Sequence, residues 1–301
     1  MKFIKMHGCG NDYVFIDGFK ERVADADKPA LAIRLSDRHF GIGGDGVVFI
    51  NPSAVADYAM EIYNMDGSKA EMCGNAVRCV GKYVYESGMT KRTEITVESG
   101  GRIKYLVLEV KDKEVVTVTV NMGTPEFRTS LTVTEMDNGG NDIVGKVGDK
   151  IDGAVGGRLS DEVNEMISVG GTIYEMTYVS MGNPHAVVLV DEVDHYPLAE
   201  VGPRFEHHER FPQRTNVEFV RVIDRATIQM RVWERGSGET KACGTGACAA
   251  AAACIINGLT QDSVTVKLLG GELLIRWDRD ANVIYMTGPA KTAFSGECRL
   301  I

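Results

Sequence analysis

The segment GTGACAAAAACII, residues 244–256, contains no charged side chain and is apolar around its whole circumference. A helix that is hydrophobic on every side must be buried on every side. Its alanines also let neighbouring backbones approach closely, so a helix enclosed by a curved sheet fits the pattern. The apolar run 246–256 is much shorter than the roughly 20 residues a bilayer span needs. It therefore reads as the centre of a soluble core.

The sheet that could enclose such a helix is written in short alternating runs bounded by glycine turns. These runs cover residues 2–6, 13–16, 57–63, 94–98, 104–110 and 115–121. A second set covers 172–180, 186–190, 216–222, 227–233, 263–268, 273–277 and 283–286. Helical patterns are fewer and fall at 30–39, 74–86, 159–167 and 244–256, with Gly88 just past the second. The glycine- and aspartate-rich stretch 138–157 reads as a surface loop or insertion. With 301 residues, and about 100–200 per domain, two domains are expected.

Two motifs can be laid over one another. YNMDGSKAEMCGNAVRC spans residues 63–79 and WERGSGETKACGTGACA spans 233–249. In each, a strand ends in an aromatic residue followed by a polar one, Asn64 or Glu234. Nine residues later comes Cys-Gly, at Cys73-Gly74 or Cys243-Gly244, and then a helix. Such an echo implies two similar domains, each with a thiol at the start of its central helix.

A helix start is a favourable place for a reactive thiol. Its N–H groups carry partial positive charge, which lowers a cysteine pKa from about 8.5. The same N–H groups can receive a carboxylate. Inverting an amino-acid stereocentre removes a proton from one face and returns one to the other. Two thiols on opposite faces, one ionised and one not, do this without either crossing the substrate plane. Donors aimed at the substrate carboxylate would stabilise the charge that develops as the proton leaves. Of the remaining cysteines, Cys79, Cys248 and Cys254 fall inside helices and are expected to be packing residues. Cys9 is assigned no chemistry, and nor is Cys298.

Other polar residues have local reasons to face a ligand. SMGNPHAVV puts Asn183 and His185 on a tight turn entering a strand. Asn216 opens another strand. Glu234 and Arg235 carry the two charges complementary to an amino acid, and Arg can grip a carboxylate bidentately. Asn11 and Asn64 are amide candidates in the first half. The cluster Gly43-Gly44-Asp45-Gly46 reads as a turn needing positive φ.

Bulk properties exclude several classes. A net charge of −9 gives no general attraction to nucleic acid or an anionic membrane. Seven cysteines without a C-x-x-C pair fit neither a secreted disulfide framework nor a zinc ribbon. MKFIKMHGCGND has no apolar run suited to a secretory signal, so a cytoplasmic location is expected.

Taken together, HGCGNDYVFID, GIGGDG, NMDGSKAEMCGN, MGNPHAVV, RTNVEF and ERGSGETKACGTGACAAA resemble the diaminopimelate epimerase family. MTG at 286–288 extends the resemblance almost to the end. It implies interconversion of LL- and meso-diaminopimelate in lysine and peptidoglycan precursor synthesis, without a cofactor or metal. It implies Cys73 and Cys243 as proton donor and acceptor. Gly74, Asn75, Gly244 and Thr245 would be backbone donors to the carboxylate at the reacting centre. Asn11, Asn64, Asn183, Asn216, Glu234 and Arg235 would be substrate ligands, with His185 and Glu234 supporting the reacting centre. Some relatives carry a glutamine ligand where this chain has Gly46.

The implied fold is α+β, with two pseudo-symmetric domains, each a curved mixed sheet around a central helix, and the site in the cleft between. The first domain is expected to hold 1–121 and a returning C-terminal segment 289–301, and the second 122–288. Homodimers are common in the family.

Three rivals remain at this point. A proline racemase or hydroxyproline epimerase shares the thiol pair, but its substrate lacks the distal amino-acid head that Arg235, Glu234, Asn64 and Asn216 would bind. A hydrolase would pair Cys243 with His185 and leave Cys73 unexplained. A thiol redox sensor would show no turnover to lose.

Overall fold

The computed structural model describes residues 1–128 and 163–299, so the stretch 138–157 lies outside the described residues. The chain divides into two units, Met1–Asn121 with Thr287–Ile301, and Met122–Met286.

In the first unit, β1 (Lys2–Gly8) and β2 (Asn11–Asp17) run antiparallel. Helix α1 (Lys28–Ser36) leads to β3 (Gly46–Asn51), which is parallel to β2. Strand β4 (Tyr58–Asn64) returns antiparallel to β3, and the short β5 (Lys69–Ala70) folds back on its end. Helix α2 (Gly74–Glu86) follows, then β6 (Glu94–Ser99), parallel to β4. An antiparallel ladder of β6, β7 (Arg102–Lys111) and β8 (Glu114–Gly123) comes next.

The second unit repeats this order. After β9 (Glu126–Phe127) and β10 (Asn164–Val169), β11 (Thr172–Ser180) and β12 (Pro184–Leu189) run antiparallel. Helix α3 (Leu198–Glu206) leads to β13 (Asn216–Asp224), parallel to β12. Strands β14 (Thr227–Glu234) and β15 (Gly238–Thr240) are antiparallel additions. Helix α4 (Gly244–Ile256) precedes β16 (Ser263–Leu268), parallel to β14, and then β17 (Gly271–Asp278) and β18 (Val283–Gly288). The last strand, β19 (Lys291–Glu297), belongs to the first unit. It pairs antiparallel with β1, Lys2 opposite Glu297.

The β2–β3 and β12–β13 parallel ladders give a position-by-position correspondence. Tyr13 pairs with Gly46 in one, and His185 with Asn216 in the other. Two residues on, Phe15 pairs with Val48, and Val187 with Glu218.

The central helices differ in what surrounds them. α2 buries Ala76, Val77, Val80 and Val84 but leaves Lys82 and Tyr83 half-buried. α4 buries every residue except Thr245 and Ile256, with β11 to β14, β16 and β17 around it. Its methyl-sized side chains permit that enclosure, as the composition of the segment requires.

Two expectations need correction. The helical pattern expected over 159–167 holds among the described residues only at Val163: Asn164–Val169 is a strand whose residues alternate in burial, Glu165, Ile167 and Val169 facing in. A period of two fits those residues as well as a helical period, and pairing with β11 decides it. The first helix stops at Ser36 and not at residue 39, because the Asp37 carboxylate accepts from the N–H groups of His39 and Phe40 and closes a turn.

Candidate active site

Each unit places one thiol at the N-cap of a 13-residue helix. Cys73 has φ −138° and ψ 116°, and its sulfur accepts from the Ala76 N–H at 3.4 Å. Cys243 has φ −112° and ψ 115°, and its sulfur accepts from the Gly246 N–H at 3.4 Å. An extended N-cap whose side chain accepts from the third helical N–H is the ordinary way to satisfy a helix start. Here sulfur does it twice. The leading N–H groups of any α-helix have no carbonyl four residues back. In these helices they belong to Gly74 and Asn75, and to Gly244 and Thr245.

Around Cys73 the partners are amides. The thiol donates to Asn11 Oδ1 at 3.2 Å, and Asn75 Nδ2 donates to the same oxygen at 3.1 Å. Asn75 Oδ1 accepts from the buried Arg78 guanidinium at 2.8 Å. Asn11 Nδ2 donates to Asp45 Oδ2 at 2.7 Å. Arg78 only donates and Asp45, ionised, only accepts, so the amide orientations between them are fixed. Asn11 Oδ1 must then accept, and Cys73 engages it as S–H. The Tyr13 hydroxyl lies against Cys73 and Asn11; burial and the neighbouring Cys73 push its pKa well up. Asn64 is not part of this network and donates instead to Ser68 Oγ in its own turn. Gly46 has no room for a side chain, since a Cβ there would lie 2.2 Å from the Tyr63 carbonyl oxygen.

Around Cys243 the partners are ionisable. The thiol is 6% exposed. Burial, then Glu234 and Glu218, push its pKa well above the usual thiol range, while Thr245 and the Gly246 N–H pull the other way. The helix start alone would lower it, but burial and two carboxylates outweigh that. Burial also raises Glu234, against hydrogen bonds from Thr240 and Cys243. His185 is fully buried; its Nδ1 lies 2.7 Å from Glu218 Oε1 and its Nε2 3.1 Å from Asn183 Oδ1. Asn183 Nδ2 donates to Thr245 Oγ1 at 3.3 Å, and that hydroxyl is 3.5 Å from Cys243 Sγ. Both ring nitrogens of His185 are engaged away from Cys243, so the Cys–His contact of a thiol hydrolase is not formed. Glu218 is fully buried and its Oε2 has no hydrogen-bond partner among the described residues, a condition that costs about 1–3 kcal/mol or more.

Asn216 and Arg235 stand one step back. Asn216 donates to the Pro184 carbonyl at 2.7 Å and accepts from the Arg235 N–H at 2.9 Å. The Arg235 side chain is exposed and reaches the Gln213 carbonyl at 3.1 Å, so adjacent Glu234 and Arg235 have different partners. Residues the sequence reading passed over are Tyr13, Asp45, Arg78 and Glu218. Glu218 had one signal, a carboxylate in an otherwise apolar run, VEFV.

The other cysteines behave as packing. Burial pushes Cys79 and Cys254 up to about 12, and Cys248 is fully buried. Cys9 is buried with φ +52°, near the Arg78 guanidinium. Among the described residues no group of three or more His, Cys, Asp or Glu is placed to hold a metal, and no helix is long and apolar enough to cross a membrane.

The family model described as diaminopimelate epimerase matches residues 3–128 and 177–293. The chain is 50% identical to a diaminopimelate epimerase of Agathobacter rectalis, with all of both chains covered. It is 48% identical to one of Acetivibrio thermocellus, covering 100% of this chain and 99% of that one. Among solved structures, a probable proline racemase from Agrobacterium radiobacter superposes with a TM-score of 0.69 at 15% identity, covering 100% of this chain and 93% of that one. A hydroxyproline epimerase from Agrobacterium vitis gives 0.66 at 16% identity, covering 98% and 91%. At such identities these structures share the fold alone, which is α+β with two pseudo-symmetric domains. The full-length matches at about half identity settle the matter: the chain belongs to the diaminopimelate epimerase family of isomerases.

Proposed function

We propose that this protein interconverts LL- and meso-diaminopimelate, with Cys73 and Cys243 acting on opposite faces of one Cα and no cofactor taking part. The observation that carries the reading is the repeated N-cap thiol, at the same spacing from its strand and with the same sulfur-to-N–H contact in both units. In one direction a thiolate takes the Cα proton and the bonding electrons pass towards the carboxylate. N–H groups of Gly74, Asn75, Gly244 and Thr245 stabilise that charge. The second thiol then donates its proton to the opposite face and becomes the thiolate. The two thiols titrate as one coupled system.

Glu234 fits the ammonium of the reacting end, and a cation beside it offsets the field that holds Cys243 as a thiol. Asn11, Asn64, Asn183, Asn216 and Arg235 are read as the remaining substrate ligands, and His185 as support for the reacting centre. The same reading places the enzyme in lysine and peptidoglycan precursor synthesis, in the cytoplasm, as a homodimer whose mass sedimentation would measure. The direct test is incubation with LL-diaminopimelate in deuterated water. Deuterium at Cα of the meso product is expected; meso product without solvent deuterium, or no product, would refute the scheme.

A further inference from the structure

We propose that Glu218 is a positioning residue that sets the direction of a hydrogen-bond chain ending as a donor on the Cys243 sulfur. The proposal deepens the two-thiol reading and rests on it for its catalytic consequence.

The chain is continuous. Glu218 Oε1 lies 2.7 Å from His185 Nδ1, Nε2 lies 3.1 Å from Asn183 Oδ1, and Asn183 Nδ2 lies 3.3 Å from Thr245 Oγ1. Thr245 Oγ1 lies 3.5 Å from Cys243 Sγ. An ionised Glu218 only accepts, so Nδ1 must donate. An amide oxygen only accepts, so Nε2 donates to Asn183. The asparagine NH2 then donates to Thr245, and the threonine hydroxyl is left to donate to sulfur. Both ring nitrogens can donate only when the ring carries both hydrogens, and the facing Glu218 carboxylate is the group that favours that form and so sets the sense of the whole. A donor on sulfur favours the thiolate over the thiol. Cys243 needs that help, being buried among carboxylates.

The sheet does not require a carboxylate at this position. Glu218 sits between Val187 and Val232. The corresponding residue of the first unit is Val48, fully buried between Phe15 and Ile62. Glu218 reaches its partner because His185 pairs with Asn216 and so lies on the same face, two residues along. The first turn of α4 also leaves room for it: a Cβ on Gly246 would lie 2.6 Å from Glu218 Oε1. A buried carboxylate oxygen without a partner among the described residues calls for a reason beyond packing.

Nitrogen-15 NMR of the His185 ring in the unsubstituted resting enzyme is the first test, and it needs no turnover. Hydrogen on both ring nitrogens at neutral pH is expected; a bare Nε2 reverses the chain and overturns the proposal. Glu218→Gln, checked for folding by its thermal melt, is expected to lower kcat about tenfold or more, with KM little changed. In a Thr245→Val background, which keeps the backbone N–H but lacks the terminal donor, Glu218→Gln is expected to add no further loss. Wild-type kcat in Glu218→Gln, or losses that multiply in full, would overturn the proposal. Retained turnover in both cysteine variants would instead refute the two-thiol reading, leaving the NMR result to decide the direction of the chain.

Discussion

The two thiol-bearing helix starts share a backbone and differ in everything that surrounds it. Cys73 and Cys243 have nearly the same ψ, cap helices of the same length and accept from the third helical N–H at the same distance. Yet Cys73 is half-buried in a chain of amides held between Arg78 and Asp45. Cys243 is almost fully buried beside two carboxylates, one of which, Glu218, holds His185. The backbone thus supplies the position of each sulfur, and at Cys243 the surrounding side chains decide how tightly it holds its proton. On the two-thiol reading proposed above, symmetric surroundings are not required, only that each thiol can take up either role when substrate is bound.

The comparison can be broken most severely by removing either sulfur. Cys73→Ala and Cys243→Ala are each expected to lower epimerase turnover by about 100- to 10,000-fold, read by proton NMR of the meso product. If only one mattered, the two starts would not be functional equivalents. Next is Gly246, whose counterpart in the first unit is Ala76. Gly246→Ala sets a methyl 2.6 Å from Glu218 Oε1 and 3.2 Å from Cys243 Cβ. It should cost about 1–3 kcal/mol in urea unfolding and reduce turnover as well. Ala76→Gly should cost only about 0.5–1 kcal/mol and leave Cys73 in place.

A smaller effect concerns pH. Glu234 is one of the charges that raise Cys243. Removing a negative neighbour favours the thiolate, so Glu234→Gln should move the alkaline rise in Cys243 alkylation to lower pH. No shift, or a shift upward, would mean that the carboxylate does not control this thiol. The mildest test is labelling order. Iodoacetamide followed by mass spectrometry should modify Cys73 before Cys243, since only the former is half-exposed.

Much of this was legible in the chain itself. The bounds 74–86 and 244–256 of the two central helices follow from Cys-Gly at the start and a glycine beyond the end. What escaped shows the limits of periodicity. Strand β3 is buried on nearly all its residues, so GVVFIN offers no alternation to detect. Helix α3 contains Pro203 and a glycine pressed against Trp233, both of which argue locally against a helix. Tertiary packing overrides them. The site residues named from motifs lie near the thiols in several cases, but Asn64 and Arg235 hold partners elsewhere. Glu218 was invisible as a partner of His185 because their proximity comes from parallel pairing across an intervening helix.

The return of β19 to β1 fixes an order of events during synthesis. Domains usually fold as they emerge, the earlier one first. Here the strand that borders β1 lies beyond the whole of Met122–Met286 in sequence. On the ribosome, the backbone edge of β1 therefore waits for its neighbour until the second unit has been translated in full. The unit that starts first can be completed only last, and a nascent chain cut short before Lys291 would carry an open strand edge.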